Sequence, residues 1–70
     1  MTTNEFSKLI KERRTRLHLT QKELADQLHV SNKTISRWET GSGYPDIETI
    51  PQLAKILELD YEELLDGNTY

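Results

Sequence analysis

Cysteine is absent from this 70-residue sequence, which also has only two histidines, three glycines and two prolines. Without cysteine, neither a disulfide framework nor a thiolate metal site can form, which suits a reducing compartment. Two separated histidines do not make a structural zinc site, so we expect no metal and no cofactor. No apolar run approaches the roughly 20 residues that span a bilayer, and no signal-peptide pattern opens the chain. The sequence therefore predicts a cytoplasmic domain without membrane contact.

The scarcity of glycine and proline, together with abundant Leu, Ile, Lys and Glu, favours an all-α fold in a single domain, residues 1–70. Charge is divided unevenly along it. Residues 1–41 carry eight Lys/Arg and five Asp/Glu, a net charge of +3, whereas residues 42–70 carry one Lys and seven acids, a net charge of −6. This division is compatible with an ordinary solvated surface. It is also compatible with a basic face that binds a polyanion, with the acidic half of the chain turned away from it.

Five short helices are predicted, each preceded by a side chain that can accept a hydrogen bond from the first turn. In chain order these caps are Thr2, Thr20, Ser31, Thr49 and Asp60. Glu5 and Glu23 complete capping boxes with the first two caps. We expect the first three helices to end near residues 17, 29 and 40, and the fifth near residue 65. A separate turn, 46–48, precedes the fourth helix, since proline at position 51 must lie in a first turn.

The third predicted helix has an apolar arc and a polar arc. On a helical wheel of about 100° per residue, Ile35 and Trp38 lie on one side, and the opposite side is polar. The polar arc carries Asn32, Lys33, Ser36, Arg37 and Thr40. Amide, hydroxyl, ammonium and guanidinium groups can read base edges in the major groove, which admits an α-helix. An ordinary amphipathic helix with a wet face is the competing interpretation.

Two segments carry a family resemblance: "LTQKELADQLHVSNKTISRWETG" and the following "PDIETIPQLAKILELDYEELL". They resemble the Cro/CI-type (Xre-like) helix-turn-helix domains of phage repressors and bacterial transcriptional regulators, from about residue 6 to residue 65. The resemblance implies a compact five-helix lambda-repressor-like domain whose helices 2 and 3 form the helix-turn-helix, at about 21–40. It implies sequence-specific binding of double-stranded DNA, favours a repressor, and suggests two copies on a twofold operator.

The same resemblance implies roles for individual residues. The positions that match base-reading residues are Asn32, Lys33, Ser36 and Arg37. The positions that match DNA-backbone contacts are Gln21, Ser31 and Thr40. Four of these residues have a simpler alternative role. Gln21 can be a surface residue of a capping box and Ser31 a cap alone, while Lys33 and Arg37 can serve as phosphate contacts only.

The family usually has Gly in the two turns where this chain has His18 and His29. Such turns commonly need a positive φ, which costs a residue with a Cβ, although His is among the types enriched there. We therefore interpret both histidines as strained turn residues rather than as a pH sensor or a metal pair. Arg14 and Glu39 match a family arginine and glutamate, and the resemblance implies a partly buried ion pair between the first and third helices.

Two other function classes compete with DNA binding alone. In one, the chain is an antitoxin or similar module that also binds its operator and uses Tyr44, Tyr61 and Tyr70 against a protein partner. In the other it is an enzyme, which the sequence disfavours because it has no Gly-rich phosphate loop, nucleophile elbow or metal-ligand cluster. The acids after residue 57 are better interpreted as a solvated face and a helix cap than as catalytic carboxylates.

Overall fold

The computed structural model of the chain describes residues 3–60, which contain four α-helices and no strand. The helices are α1 (Thr3–Arg16), α2 (Gln21–Leu28), α3 (Asn32–Thr40) and α4 (Ile50–Leu57). The predicted all-α class is confirmed for this part of the chain. The predicted fifth helix, after Asp60, and the predicted cap at Thr2 lie outside the described residues.

The helices α2 and α3 begin at the residues that the capping signals predicted. Thr20 and Glu23 form a reciprocal capping box, with Glu23 N donating to Thr20 Oγ1 at 3.0 Å and Thr20 N donating to Glu23 Oε1 at 2.8 Å. Ser31 Oγ accepts a hydrogen bond from Thr34 N at 3.1 Å. These bonds satisfy backbone donors that have no partner within the helix, so both helices have fixed starting points.

Helix α4 also begins after Thr49, but Thr49 does not cap it through its side chain. Its backbone is already helical, with φ −85° and ψ −22°, because the preceding turn runs directly into the helix: Thr49 N donates to Asp46 O at 2.8 Å. Pro51 follows in the first turn and has no N–H to offer a cap. The predicted position of Thr49 is confirmed, and its predicted capping role is wrong.

All four described helices end in the same way, with a residue in the left-handed region whose successor donates a hydrogen bond to the carbonyl five positions back. The left-handed residues and their φ angles are His18 (61°), His29 (59°), Gly41 (84°) and Glu58 (57°). The corresponding bonds are Leu19 N to Arg14 O, Val30 N to Ala25 O, Ser42 N to Arg37 O and Leu59 N to Ala54 O, of 2.8–3.0 Å. This is the Schellman arrangement, and it confirms the predicted positive φ at both histidines.

The core draws on every described helix. Its largest fully buried side chains are Phe6, Ile10, Leu24, Ile35, Leu53 and Leu57. Helix α3 packs against both α1 and α2, and α4 packs against the same two helices. Ala25, 1% exposed, leaves room for α2 to approach its neighbours closely. Because Ile35 and Trp38 are held in this core, the opposite side of α3 is fixed facing outward.

Candidate nucleic-acid interface

The polar side of α3 forms an outward surface of four residues, which we call the α3 polar face: Asn32, Lys33, Ser36 and Arg37. Asn32, Lys33 and Arg37 are exposed, and Ser36 is partly exposed. Ile35 and Trp38, at 0% and 5% exposure, lie on the buried side. The structure therefore brings the four predicted base-reading residues together on one face of one helix.

Lys33 and Arg37 project from this face without a side-chain partner among residues 5–60. Among residues 5–60, the ion pairs are Arg14–Glu39 and Lys22–Asp26, and neither Lys33 nor Arg37 hydrogen-bonds through its side chain. An unpaired guanidinium offers two parallel donors to a guanine edge or to a phosphate, and an unpaired ammonium offers a point charge. The α3 polar face can thus bind an anionic, hydrogen-bond-accepting surface.

The two hydroxyl residues predicted to contact the DNA backbone lie at opposite ends of α3. Ser31 caps the helix and its Oγ also lies 2.9 Å from Thr34 Oγ1. Thr40 Oγ1 donates to Arg37 O at 3.3 Å and lies 3.2 Å from Ser42 Oγ. Both residues are exposed, so each hydroxyl combines a local structural bond with access to an outside partner.

Gln21 is the first residue of α2, and its side chain turns toward α3. Its Nε2 donates to Glu39 Oε1 at 3.1 Å. The residue is partly exposed and lies at a helix N-terminus, where free backbone N–H groups and the helix dipole favour an anion. Sequence reasoning assigned Gln21 to the interface but missed its contact with Glu39, because the two residues are 18 positions apart and share no local pattern.

Arg14 and Glu39 form the bond that ties α3 to α1. Arg14 Nε donates to Glu39 Oε2 at 2.5 Å and Arg14 Nη2 donates to Oε1 at 3.0 Å. The remaining guanidinium nitrogen, Nη1, donates to Leu19 O at 2.7 Å. The two side chains are only 11% and 2% exposed. A buried bidentate pair of this kind fixes the position of α3 relative to α1, because separating the two side chains would leave two buried charges without a counterion.

Of the three tyrosines of the predicted protein interface, only Tyr44 lies among the described residues. Tyr44 is 47% exposed, and its ring packs on Phe6 with the centroids 4.7 Å apart and a tilt of 48°. Tyr61 and Tyr70 lie outside the described residues. Ile47, 72% exposed, is near Tyr44 in the chain between α3 and α4. Tyr44 thus contributes to the core through one side of its ring.

Other site chemistries find no support in residues 3–60. They contain no group of three or more His, Asp or Glu side chains that could hold a metal ion. None of their helices is long and apolar enough to cross a membrane.

Comparison with known proteins places this geometry in context. A family model described as helix-turn-helix matches residues 10–64. The chain is 43% identical over 63 residues to the HTH-type transcriptional activator BcrR of Enterococcus faecalis, covering 90% of this chain and 31% of BcrR. It is 34% identical over 68 residues to repressor protein C2 of Salmonella phage P22, covering 97% of this chain and 32% of C2. It is also 43% identical over 61 residues to the type II methyltransferase M1.ScrFI of Lactococcus lactis subsp. cremoris, covering 83% of this chain and 16% of that protein.

A solved structure shares the fold. The hydroxypropylphosphonic acid epoxidase from S. wedmorenis superimposes with a TM-score of 0.80 at 25% sequence identity, over 90% of this chain and 34% of the epoxidase. Our chain spans about a third or less of the length of each of these four proteins. The shared unit is therefore one domain of chains with different overall activities.

Proposed function

Because the chain belongs to the helix-turn-helix family, we propose that it binds double-stranded DNA sequence-specifically as the DNA-binding domain of a transcriptional regulator. In this proposal α3 enters the major groove and the α3 polar face meets the base edges. A helix-turn-helix places its second helix there, with residues near the helix start closest to the bases. Asn32, Lys33, Ser36 and Arg37 are the proposed base-reading residues.

The observation that carries the proposal is the contrast between the two sides of α3. Its inner side is fixed by buried Ile35 and Trp38, while Lys33 and Arg37 project outward unpaired among the described residues. Exposed cations on a rigid helix add little to folding, so both are available to a ligand. A polyanion is the ligand that suits them, and the net charge of +3 on residues 1–41 favours its approach.

The proposed backbone contacts lie around this face. Gln21 sits at the N-terminus of α2, and Ser31 and Thr40 sit at the two ends of α3. Donors at helix N-termini and short hydroxyl side chains suit phosphate oxygens, which position a domain on the duplex without reading its sequence. These three residues would set the register in which the α3 polar face meets the bases.

We further propose the complete lambda-repressor-like arrangement of five helices, bound as two copies on a twofold operator in the cytoplasm. Two half-sites would then lie about 34 Å apart along the duplex. Among the relatives, C2 is named a repressor and BcrR an activator. We favour repression, which the names of C2 and of the phage repressor RstR of Vibrio cholerae support.

We assign no catalysis to this chain. The methyltransferase and the epoxidase it resembles are much longer, and the matched segments are 16% and 34% of their lengths. Within the described residues, no cluster of metal ligands offers a starting point for such chemistry. A helix-turn-helix in a longer enzyme can serve binding alone.

Selection of bound duplexes from a random DNA pool tests the proposal. We expect enrichment of one motif of two related half-sites, bound far more tightly than the unselected pool. Recovery of no motif, with equal affinity for selected and random duplexes, would contradict sequence-specific binding.

A further inference from the structure

The carboxylate of Glu39 lies where three helices meet. It belongs to α3, and its two oxygens accept hydrogen bonds from Arg14 of α1 and from Gln21 at the start of α2. Its side chain is 2% exposed, so water does not compete for these bonds. The ion pair needs only Arg14, and Gln21 is therefore an additional partner of the same carboxylate.

This contact determines which way the Gln21 amide faces. An ionised carboxylate only accepts hydrogen bonds, so the amide must turn its nitrogen, not its oxygen, toward Glu39. The opposite orientation would bring two acceptors together. One N–H of Gln21 is then used inside the protein, while the second N–H and the amide oxygen remain for outside partners. Glu39 thus selects both the side-chain conformation and the amide orientation.

We propose that Glu39 is a positioning residue for the DNA contact of Gln21. This inference rests on the DNA-binding function proposed above. A free Gln side chain loses much of its rotamer freedom when it is fixed against a partner. The bond to Glu39 imposes that loss during folding, and Gln21 meets the phosphate already ordered. The Arg14–Glu39 pair accordingly has two effects: it braces α3, and it orients a contact residue of α2.

The first test needs no DNA and uses the wild-type chain. Gln27 and Gln52 are exposed and serve as internal controls for a free glutamine side chain. We expect NMR relaxation of the side-chain amides to show Gln21 Nε2 about as ordered as the backbone, and both controls mobile on the ps–ns timescale. A Gln21 amide as mobile as those of Gln27 and Gln52 would overturn the proposal, whether or not any variant folds.

The second test is a double-mutant cycle on DNA binding with Gln21→Ala, Glu39→Gln and the double variant. The probe is the duplex that the wild-type chain selects from the random pool. Circular dichroism establishes a temperature at which all four proteins are folded. Glu39→Gln retains the size of the side chain but removes the charge that demands an N–H donor. We expect it to weaken binding about tenfold more in the wild-type background than in the Gln21→Ala background.

The melting temperature of each variant reports the structural role of Glu39 separately from its effect on DNA binding. Loss of the Arg14–Glu39 ion pair should lower the melting temperature in both backgrounds, because Arg14 is unchanged in both. Equal weakening of DNA binding by Glu39→Gln in both backgrounds would show that Glu39 acts only through α3, and would overturn the positioning role. A wild-type chain that binds no duplex would instead refute the proposed function itself.

Discussion

Arg13 and Arg14 are neighbours on α1 but bind different helices. Arg13 Nη1 donates to the carbonyl oxygen of Glu58, at 2.8 Å, beyond the end of α4. Arg14 binds Glu39 in α3 through two hydrogen bonds. The first contact satisfies a carbonyl at a helix C-terminus, where a cation is favoured. Helix α1 therefore holds α3 and α4 in place from two adjacent positions.

Removing the partner of Arg14 should be strongly destabilising. Glu39→Ala leaves Arg14, whose side chain is 11% exposed, without its counterion, and breaking a buried pair in this way costs about 3–5 kcal/mol. We expect the free energy of unfolding, from urea denaturation, to fall by an amount of this order. DNA binding should weaken as well, because α3 loses its brace and Gln21 its acceptor.

Asp26→Ala is the matched control for this prediction. Asp26 pairs with Lys22 at 3.4 Å, but the two side chains are 67% and 75% exposed. An exposed pair of this spacing contributes at most a few tenths of a kcal/mol, about 0.3–0.5. Equal stability losses in Glu39→Ala and Asp26→Ala would show that burial of the Arg14–Glu39 pair has no energetic consequence.

The left-handed backbone at His29 should make this position a site of stabilisation by glycine. A residue with a Cβ is destabilised by about 1–2 kcal/mol in that region. Glycine avoids this strain but loses about 0.5–1 kcal/mol of stability, because its unfolded chain is more flexible. With φ at 59°, His29→Gly should raise the free energy of unfolding by about 0.5–1 kcal/mol. His29→Ala keeps the Cβ and should give no such gain. A lower melting temperature for His29→Gly than for His29→Ala would refute the strain argument.

The parts of the fold that sequence predicted well are those set by neighbouring residues. A capping box needs only Thr20 and Glu23, three positions apart, and both of its bonds form. The left-handed turns at His18 and His29 follow from the family pattern with glycine replaced. In each case the determining atoms lie within one helical turn, so the local sequence contains the information.

Sequence reasoning was weaker where packing decides. Nothing in its own side chain marks Glu58 for a left-handed backbone, yet it adopts φ 57° because the next residue, Leu59, turns back into the core and is 7% exposed. The sequence does contain a signal for this turn. His18 and His29 are each followed by an apolar residue, Leu19 and Val30, that packs on the core, as Leu59 does after Glu58. Recognising that repeated pair would have identified the end of α4.

The candidate site likewise has one part that local sequence predicts and one part that depends on helix packing. The α3 polar face follows from helical periodicity within nine residues, and the structure places its members on one surface. The bond from Gln21 to Glu39 joins two helices and depends on how α2 packs against α3. No periodicity encodes such a contact, which is why Gln21 was interpreted only as an outward-facing residue.

Salt should weaken DNA binding in proportion to the phosphates neutralised. Each neutralised phosphate releases condensed counterions, so the logarithm of affinity should fall linearly with the logarithm of salt concentration. Lys33→Ala removes a cation from the α3 polar face and should reduce the slope by about one. Lys55→Ala removes the same charge from α4, in the acidic half of the chain, and should leave the slope unchanged. Equal slopes for wild type and Lys33→Ala would exclude Lys33 from the interface.

Motif selection with two variants separates the reading of DNA sequence by α3 from the anchoring of the domain by α2. Arg37→Ala should cost about 1–3 kcal/mol on the preferred duplex and relax selection at one base pair, because a bidentate contact to a base edge is lost. Gln21→Ala should weaken binding to all duplexes by a similar factor and leave the selected motif intact, because a phosphate contact carries no sequence information. We expect the recovered motif to change with Arg37→Ala and not with Gln21→Ala. An Arg37→Ala chain that recovers the wild-type motif unchanged, and merely binds every duplex less tightly, would contradict base reading by α3.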